Sequence, residues 1–301
     1  MKEIYIVGQN VFTVQPHSGC TAWEALKPRY SPFEVTCTDA RPMLEIDIEV
    51  APLPEHDAEM IYEPVHSEVS ILSSRASRLP DGSLIIEFAD VYTAQPRLLM
   101  KMPPEFNKAD IAIAPDGDEN DLYFLTHAIM IAYMLAGLRT GTLLIHASTV
   151  LYEGRAFLFQ GKSGTGKSTH ASLWTGHITG AELLNDDHPV IRFDTNGTAM
   201  AYGSPWSGKT DCYRNVNAAI GAFVRIVRAQ ENALLPLSPL RAYASLTASV
   251  FFLPFLSDEL RETRHKTIER LATAVPCREM HCRPDADAAL TCKRGLSSCS
   301  D

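Results

Sequence analysis

Eight consecutive residues, Gly161, Lys162, Ser163, Gly164, Thr165, Gly166, Lys167 and Ser168, fit the pattern G-x-x-x-x-G-K-[ST]. Each fixed position of that pattern has a task in holding phosphate. The glycines let backbone N–H groups converge on phosphate oxygens, and a helix that starts where the loop ends adds its partial positive charge. Lys167 is placed for the β- and γ-phosphates and Ser168 for Mg²⁺, with Thr169 completing the binding run. The flanks suit this chemistry. Ala156–Gln160 is a short apolar run fit for a buried strand, and Ser168–Trp174 can open a helix. A glycine-rich turn without a ligand is the alternative. The motif in its strand–loop–helix context favours binding of a nucleoside triphosphate.

Leu183–Val190 carries the next chemistry, Asn185-Asp186-Asp187 at the end of an apolar strand. Adjacent carboxylates there are unfavourable unless they bind a cation, form ion pairs or face water. Phosphoryl transfer to a hydroxyl uses one acidic group at the metal and one that accepts the hydroxyl proton, and the pair can divide those tasks. A polar turn closed by Pro189 is the bland alternative. His146 sits in an apolar run shortly before the loop. It is either a satisfied core residue or a group that reaches a carboxylate in the site. Ala201–Thr210 is rich in turn residues and offers Lys209 for phosphate and Trp206 for stacking or for lining an acceptor pocket. Arg214, Arg225 and Arg228 are candidates to stabilise charge on a transferring group, and the sequence does not choose among them.

His146-Ala, Gly161–Ser168 and Asn185-Asp-Asp, in this order and spacing, resemble the kinase domain of the HPr serine kinase/phosphorylase family, related in fold to the phosphoenolpyruvate carboxykinases. The likeness is good over about residues 140–210 and loose beyond, on about three motifs. It implies an ATP-dependent kinase with Lys167 and Ser168 on phosphate and Mg²⁺, Asp186 assisting the metal, and Asp187 as acid/base beside His146. Catalysis would then rest on Asp187, His146 and Lys167, and the metal on Ser168 and Asp186. The N-terminal part shows no likeness to the sensor domain of the HPr enzymes. The implied acceptor is therefore a serine-type or small-molecule hydroxyl. A nucleotide-binding regulator without turnover and a carboxykinase-like enzyme are the alternative readings.

Elements must bring these residues to one place. The first ~115 residues read as mostly β, with strands expected at residues 4–7, 11–14, 43–50, 84–88 and 97–100, and a turn at Pro80-Asp-Gly82. The acidic break at Pro115–Asn120 is expected to divide a mostly-β N-terminal domain, 1–118, from an α/β nucleotide-binding domain, 119–301. There, Leu122–Leu138 reads as a helix, then strands at 142–151, 156–160, 181–186, 190–194, 218–228 and 277–281 interleave with helices at 239–252, 258–274 and 285–290. The expected fold is thus an α/β core of the HPr kinase/PEP carboxykinase type behind a smaller β-rich domain.

Composition sets outer bounds. At 301 residues with 46% hydrophobic and 21% charged residues, the chain suits one or two globular domains. A net charge of −9 argues against a nucleic-acid or acidic-membrane surface, which needs clustered cations. The 122–138 stretch reads as a buried helix and no signal-peptide pattern opens the chain, so the expected compartment is the cytoplasm. The seven scattered cysteines form no C-x-x-C pair and read as reduced thiols. A homo-oligomer is compatible with this composition.

Overall fold

A computed structural model describes residues 2–63, 72–90, 95–208 and 210–297. It is a mixed α/β protein whose contacts divide it into two units, residues 1–140 with 253–257 and residues 141–252 with 258–301.

The first unit holds β1 (Glu3–Val7), β2 (Asn10–Pro16), α1 (Thr21–Tyr30), β3 (Glu34–Val35), β4 (Leu44–Val50), β5 (Glu59–Tyr62), β6 (Leu72–Arg78), β7 (Leu84–Asp90), β8 (Pro96–Met102), β9 (Lys108–Ile113) and α2 (Asp121–Leu138). Among the described residues its strands form one sheet in the order β3-β1-β2-β4-β9-β8-β7-β6-β5. The expected strands and the Pro80–Gly82 turn are present, the turn with Gly82 at φ +85°. The sequence pattern does not predict helix α1; Pro28 inside it and the lack of a side-chain cap leave a weak local signal. Its Trp23 and Tyr30 pack with Tyr5 and Phe12 in an aromatic core.

The boundary differs from the expected 118/119. Helix α2 is apolar on every side, and a helix of that kind must be covered all round. It packs against α1 and strands β4, β7, β8 and β9 of the first unit. By length and composition it could cross a membrane, but 78% of it is buried inside the protein. The acidic stretch before it is a helix start, not a linker. Asp121 accepts the backbone N–H of Asp118 at 2.9 Å and pairs with Arg97 of β8 at 3.3 Å.

The second unit holds β10 (Leu143–Leu144), β11 (Ala147–Tyr152), β12 (Arg155–Gln160), α3 (Lys167–His177), β13 (Glu182–Asp187), β14 (Val190–Phe193), β15 (Ala199–Tyr202), β16 (Asn217–Arg228), β17 (Ala233–Pro236), α4 (Pro239–Ser249), α5 (Asp258–Ala274), β18 (Cys277–Cys282) and α6 (Ala286–Ser297). The sheet runs β10-β14-β15-β16-β12-β11-β13, and β18 pairs with both β16 and β17. Strand β16 is the hub: parallel to β12 over Ala219–Arg225 and to β18 over Phe223–Arg228. Helices α3 and α6 close one face through Trp174, Ala171, Ala288 and Cys292 against Phe159, Val224 and Met280. The strand expected at 142–151 is broken at Ile145-His146, the helix expected to 252 stops at Ser249, and the last helix runs on to Ser297. The six described cysteines are free thiols, and Cys299 lies outside the described residues.

Candidate functional site

Strand direction brings the motif residues together. β12 and β13 both run antiparallel to β11, so both end at the same sheet edge, where Ala147 pairs with Gln160 on one side and Asp187 on the other. The glycine loop leaves β12 at that edge and enters α3, with Gly166 at φ +106° as the residue before the helix. Gly161, at φ +152°, tolerates no side chain: a Cβ there would lie 2.6 Å from Thr165 Oγ1. Such backbone is favoured only in glycine.

Lys167, only 7% exposed, has its ammonium 3.2 Å from the Gly161 carbonyl and contacts no carboxylate among the described residues. Burial lowers its pKa from the ordinary value, against the raising pull of Asp187 and Asp186. A buried, incompletely compensated cation at the start of a helix suits an anion.

Asp186 and Asp187 turn to different neighbours. Asp186, 3% exposed, meets the Ser148 hydroxyl at 2.5 Å, and that hydroxyl lies 3.3 Å from Ser168 Oγ. One serine thus ties the end of β13 to the first turn of α3. Asp187 Oδ1 lies 3.3 Å from His146 Nε2, and Oδ2 lies 3.2 Å from His188 Nδ1. The two imidazole planes are nearly parallel, 18° apart, with centroids 5.8 Å distant. Burial pushes the Asp187 carboxyl up. The His188 hydrogen bond, with the charges of His188, His146 and Lys167, outweighs that and holds it below the usual range. Burial and then Lys167 lower the His146 pKa, with Asp187 opposing them.

Neighbouring segments fix this geometry. His146 sits at the break between β10 and β11, where its N–H bonds to Ser249 O at 2.8 Å, so the end of α4 holds it. Asn185, fully buried, donates to Ser204 and to the Trp206 carbonyl and accepts the Asp187 N–H at 3.2 Å. Gly208 N bonds to Asp186 O at 2.6 Å.

His146, Lys167, Ser168, Asp186, Asp187 and His188 line an open cleft of about 1220 Å³. Ser163, Gly164, Gly166, Lys167, Ser168 and Thr169 are on its wall; Gly161, Lys162 and Thr165 shape the loop from outside it. Trp206 does not meet the expectation of a stacking residue: its ring is 3% exposed and is not on the cleft wall, because its segment is spent in holding β13. Lys209 lies outside the described residues. Of the three arginines, Arg228 is on the cleft wall and bonds to the Gly164 carbonyl, whereas Arg214 pairs with Glu182 and Arg225 with Glu279. Ser148 and His188 belong to no motif in the sequence. Ser148, two residues after His146, carried a period-2 signal; His188 carried only adjacency.

Among the described residues no group of three or more His, Cys, Asp or Glu side chains could hold a metal alone. The pair Ser168 and Asp186 still fits Mg²⁺ that is shared with phosphate oxygens and water, the usual habit of that ion. Asp186 is buried beside a hydroxyl with no cation against it among the described residues.

No protein-family model matches the chain, and no curated protein matches it. Among solved structures, the HPr(Ser) kinase/phosphatase from Coxiella burnetii aligns with 52% of this chain and 99% of its own, at 12% identity and a TM-score of 0.31.

Proposed function

We propose that the chain is an ATP-dependent phosphotransferase that moves the γ-phosphoryl group to a hydroxyl acceptor. The observation that carries this reading is the meeting of Lys167, Ser168, Asp186 and Asp187 at one sheet edge, on the wall of one cleft. Triphosphate would lie along the loop N–H groups with Lys167 against its β- and γ-oxygens. Mg²⁺, held by Ser168 and Asp186, would supply neutralising charge on those phosphates. Asp187, kept ionised by its histidines, takes the proton of the acceptor hydroxyl. The hydroxyl oxygen then forms its bond to the γ-phosphorus as the bond to the β–γ bridging oxygen breaks and ADP leaves. His146 and His188 hold the carboxylate in position from either side.

The test pairs binding with transfer. Purified chain with labelled ATP, Mg²⁺ and hydroxyl acceptors should transfer label above background. Lys167→Ala should lose at least about a hundredfold in ATP affinity, because it removes the cation on the transferring phosphates. Unchanged binding by that variant refutes the loop assignment. Tight binding with no transfer to any acceptor leaves a nucleotide-binding regulator instead.

A further inference from the structure

A second cavity, of about 560 Å³, adjoins the same loop. It lies against the ends of β16 and β18, whereas Asp186 and Asp187 lie on the β11–β13 side of β12. The two cavities share Gly166, Thr169 and Arg228. A ligand with phosphates on the loop and its reacting end toward Asp187 has room to extend its other end here.

One side chain on this wall points to a ligand. His170 is 2% exposed, and its Nε2 accepts the Trp174 indole N–H at 3.2 Å. An imidazole that accepts at Nε2 carries its proton at Nδ1. That Nδ1 is buried with no hydrogen-bond partner among the described residues. Phe159 packs edge-on against the ring at 4.7 Å, which holds it in place. Buried donors are almost always satisfied, so an orphan one on a side chain that lines a cavity marks a place where an acceptor from outside the chain would be stabilised.

We propose that this cavity receives the nucleoside end of the triphosphate, and that His170 Nδ1–H donates to a ring or carbonyl acceptor of the base. The proposal rests on the triphosphate reading of the loop. It gives α3 two tasks: its first residues hold phosphate, and the next turn reads the base.

Binding of Mg·ATP and of Mg·tripolyphosphate to the parent and two variants tests it. The parent should bind ATP at least about tenfold more tightly than tripolyphosphate. His170→Phe keeps a ring but removes the donor, and should lose about tenfold for ATP while tripolyphosphate affinity stays. Ala229→Trp places a ring in the cavity from the chain beyond β16, and should bring ATP down to the tripolyphosphate level. ATP bound by both variants as well as by the parent, or no better than tripolyphosphate by the parent, overturns the nucleoside site. If neither ligand binds the parent, the phosphate-binding reading itself fails, and the nucleoside site with it.

Discussion

Two adjacent aspartates do different things because neighbours on a strand end project differently. Asp186 is turned toward the two serines and Asp187 toward the two histidines. Asp187→Asn should leave ATP affinity nearly intact and lower turnover about 10²–10⁴-fold, since an amide keeps the shape but cannot take the proton. Asp186→Asn should raise the Mg²⁺ concentration for half-maximal turnover by about tenfold or more, with a smaller effect at saturating metal. Titrating ATP and Mg²⁺ against both variants separates the roles. Equal turnover in parent and Asp187→Asn would remove the acid/base assignment. The sequence makes the pair and the loop legible because each motif is local. It hides His188 and the Ser148 tie, whose meaning depends on which strand lies beside which.

Elements place the carboxylates through close backbone contacts more than through side-chain choice. The segment after β15 folds back on β13, with Ser207 bridging Asp187 and Gly208 bonded to Asp186 O. A Cβ on Gly208 would lie 2.9 Å from Asp186 O and 3.3 Å from Asp187 Cβ, a clash with backbone that cannot rotate away. Gly208→Ala should cost about 1–3 kcal/mol of stability and lower turnover, with ATP affinity largely kept because the loop belongs to β12 and α3. Gly176→Ala is the control: a Cβ on this α3 residue meets nothing within 4 Å, so it should stabilise by about 0.5–1 kcal/mol. Thermal unfolding and turnover of the two variants check this, and equal effects would show that the contact does not position the aspartates. From sequence, Ala201–Thr210 reads as a loop that offers Lys209 to phosphate and Trp206 for stacking or an acceptor pocket, because turn residues signal loops and say nothing of what the loop packs on. The β10–β11 break is hidden too, since Ile145-His146 sits in an unbroken apolar run; only the bond from Ser249 shows why the strand stops.

At the scale of the molecule, strands with regular alternation are legible, and the division into units is not. The acidic break at Pro115–Asn120 looks like a linker by composition, yet Arg97 pairs with Asp121, and α2 is buried among elements far away in sequence. Such long-range burial also sets how the second unit responds to acid. His170 lies inside its α3–sheet core, where burial pushes the imidazole down to about 4 from 6.5. A histidine whose folded value lies below its unfolded one binds fewer protons when folded. Stability is then full above about pH 6.5 and declines as pH falls toward 4. With these values His170 alone should remove about 2 kcal/mol between pH 7 and pH 5. His146 is shifted in the same direction, so the measurement must be a difference. Urea unfolding of the parent and His170→Phe at both pH values, followed by Trp174 fluorescence with Trp23 and Trp206 replaced by Phe, supplies it. The parent should lose about 2 kcal/mol more than the variant on acidification, since the His146 contribution is common to both. An equal loss in the two proteins would mean that His170 is not held neutral by burial, and that the acid sensitivity of this unit lies at the Asp187 cluster.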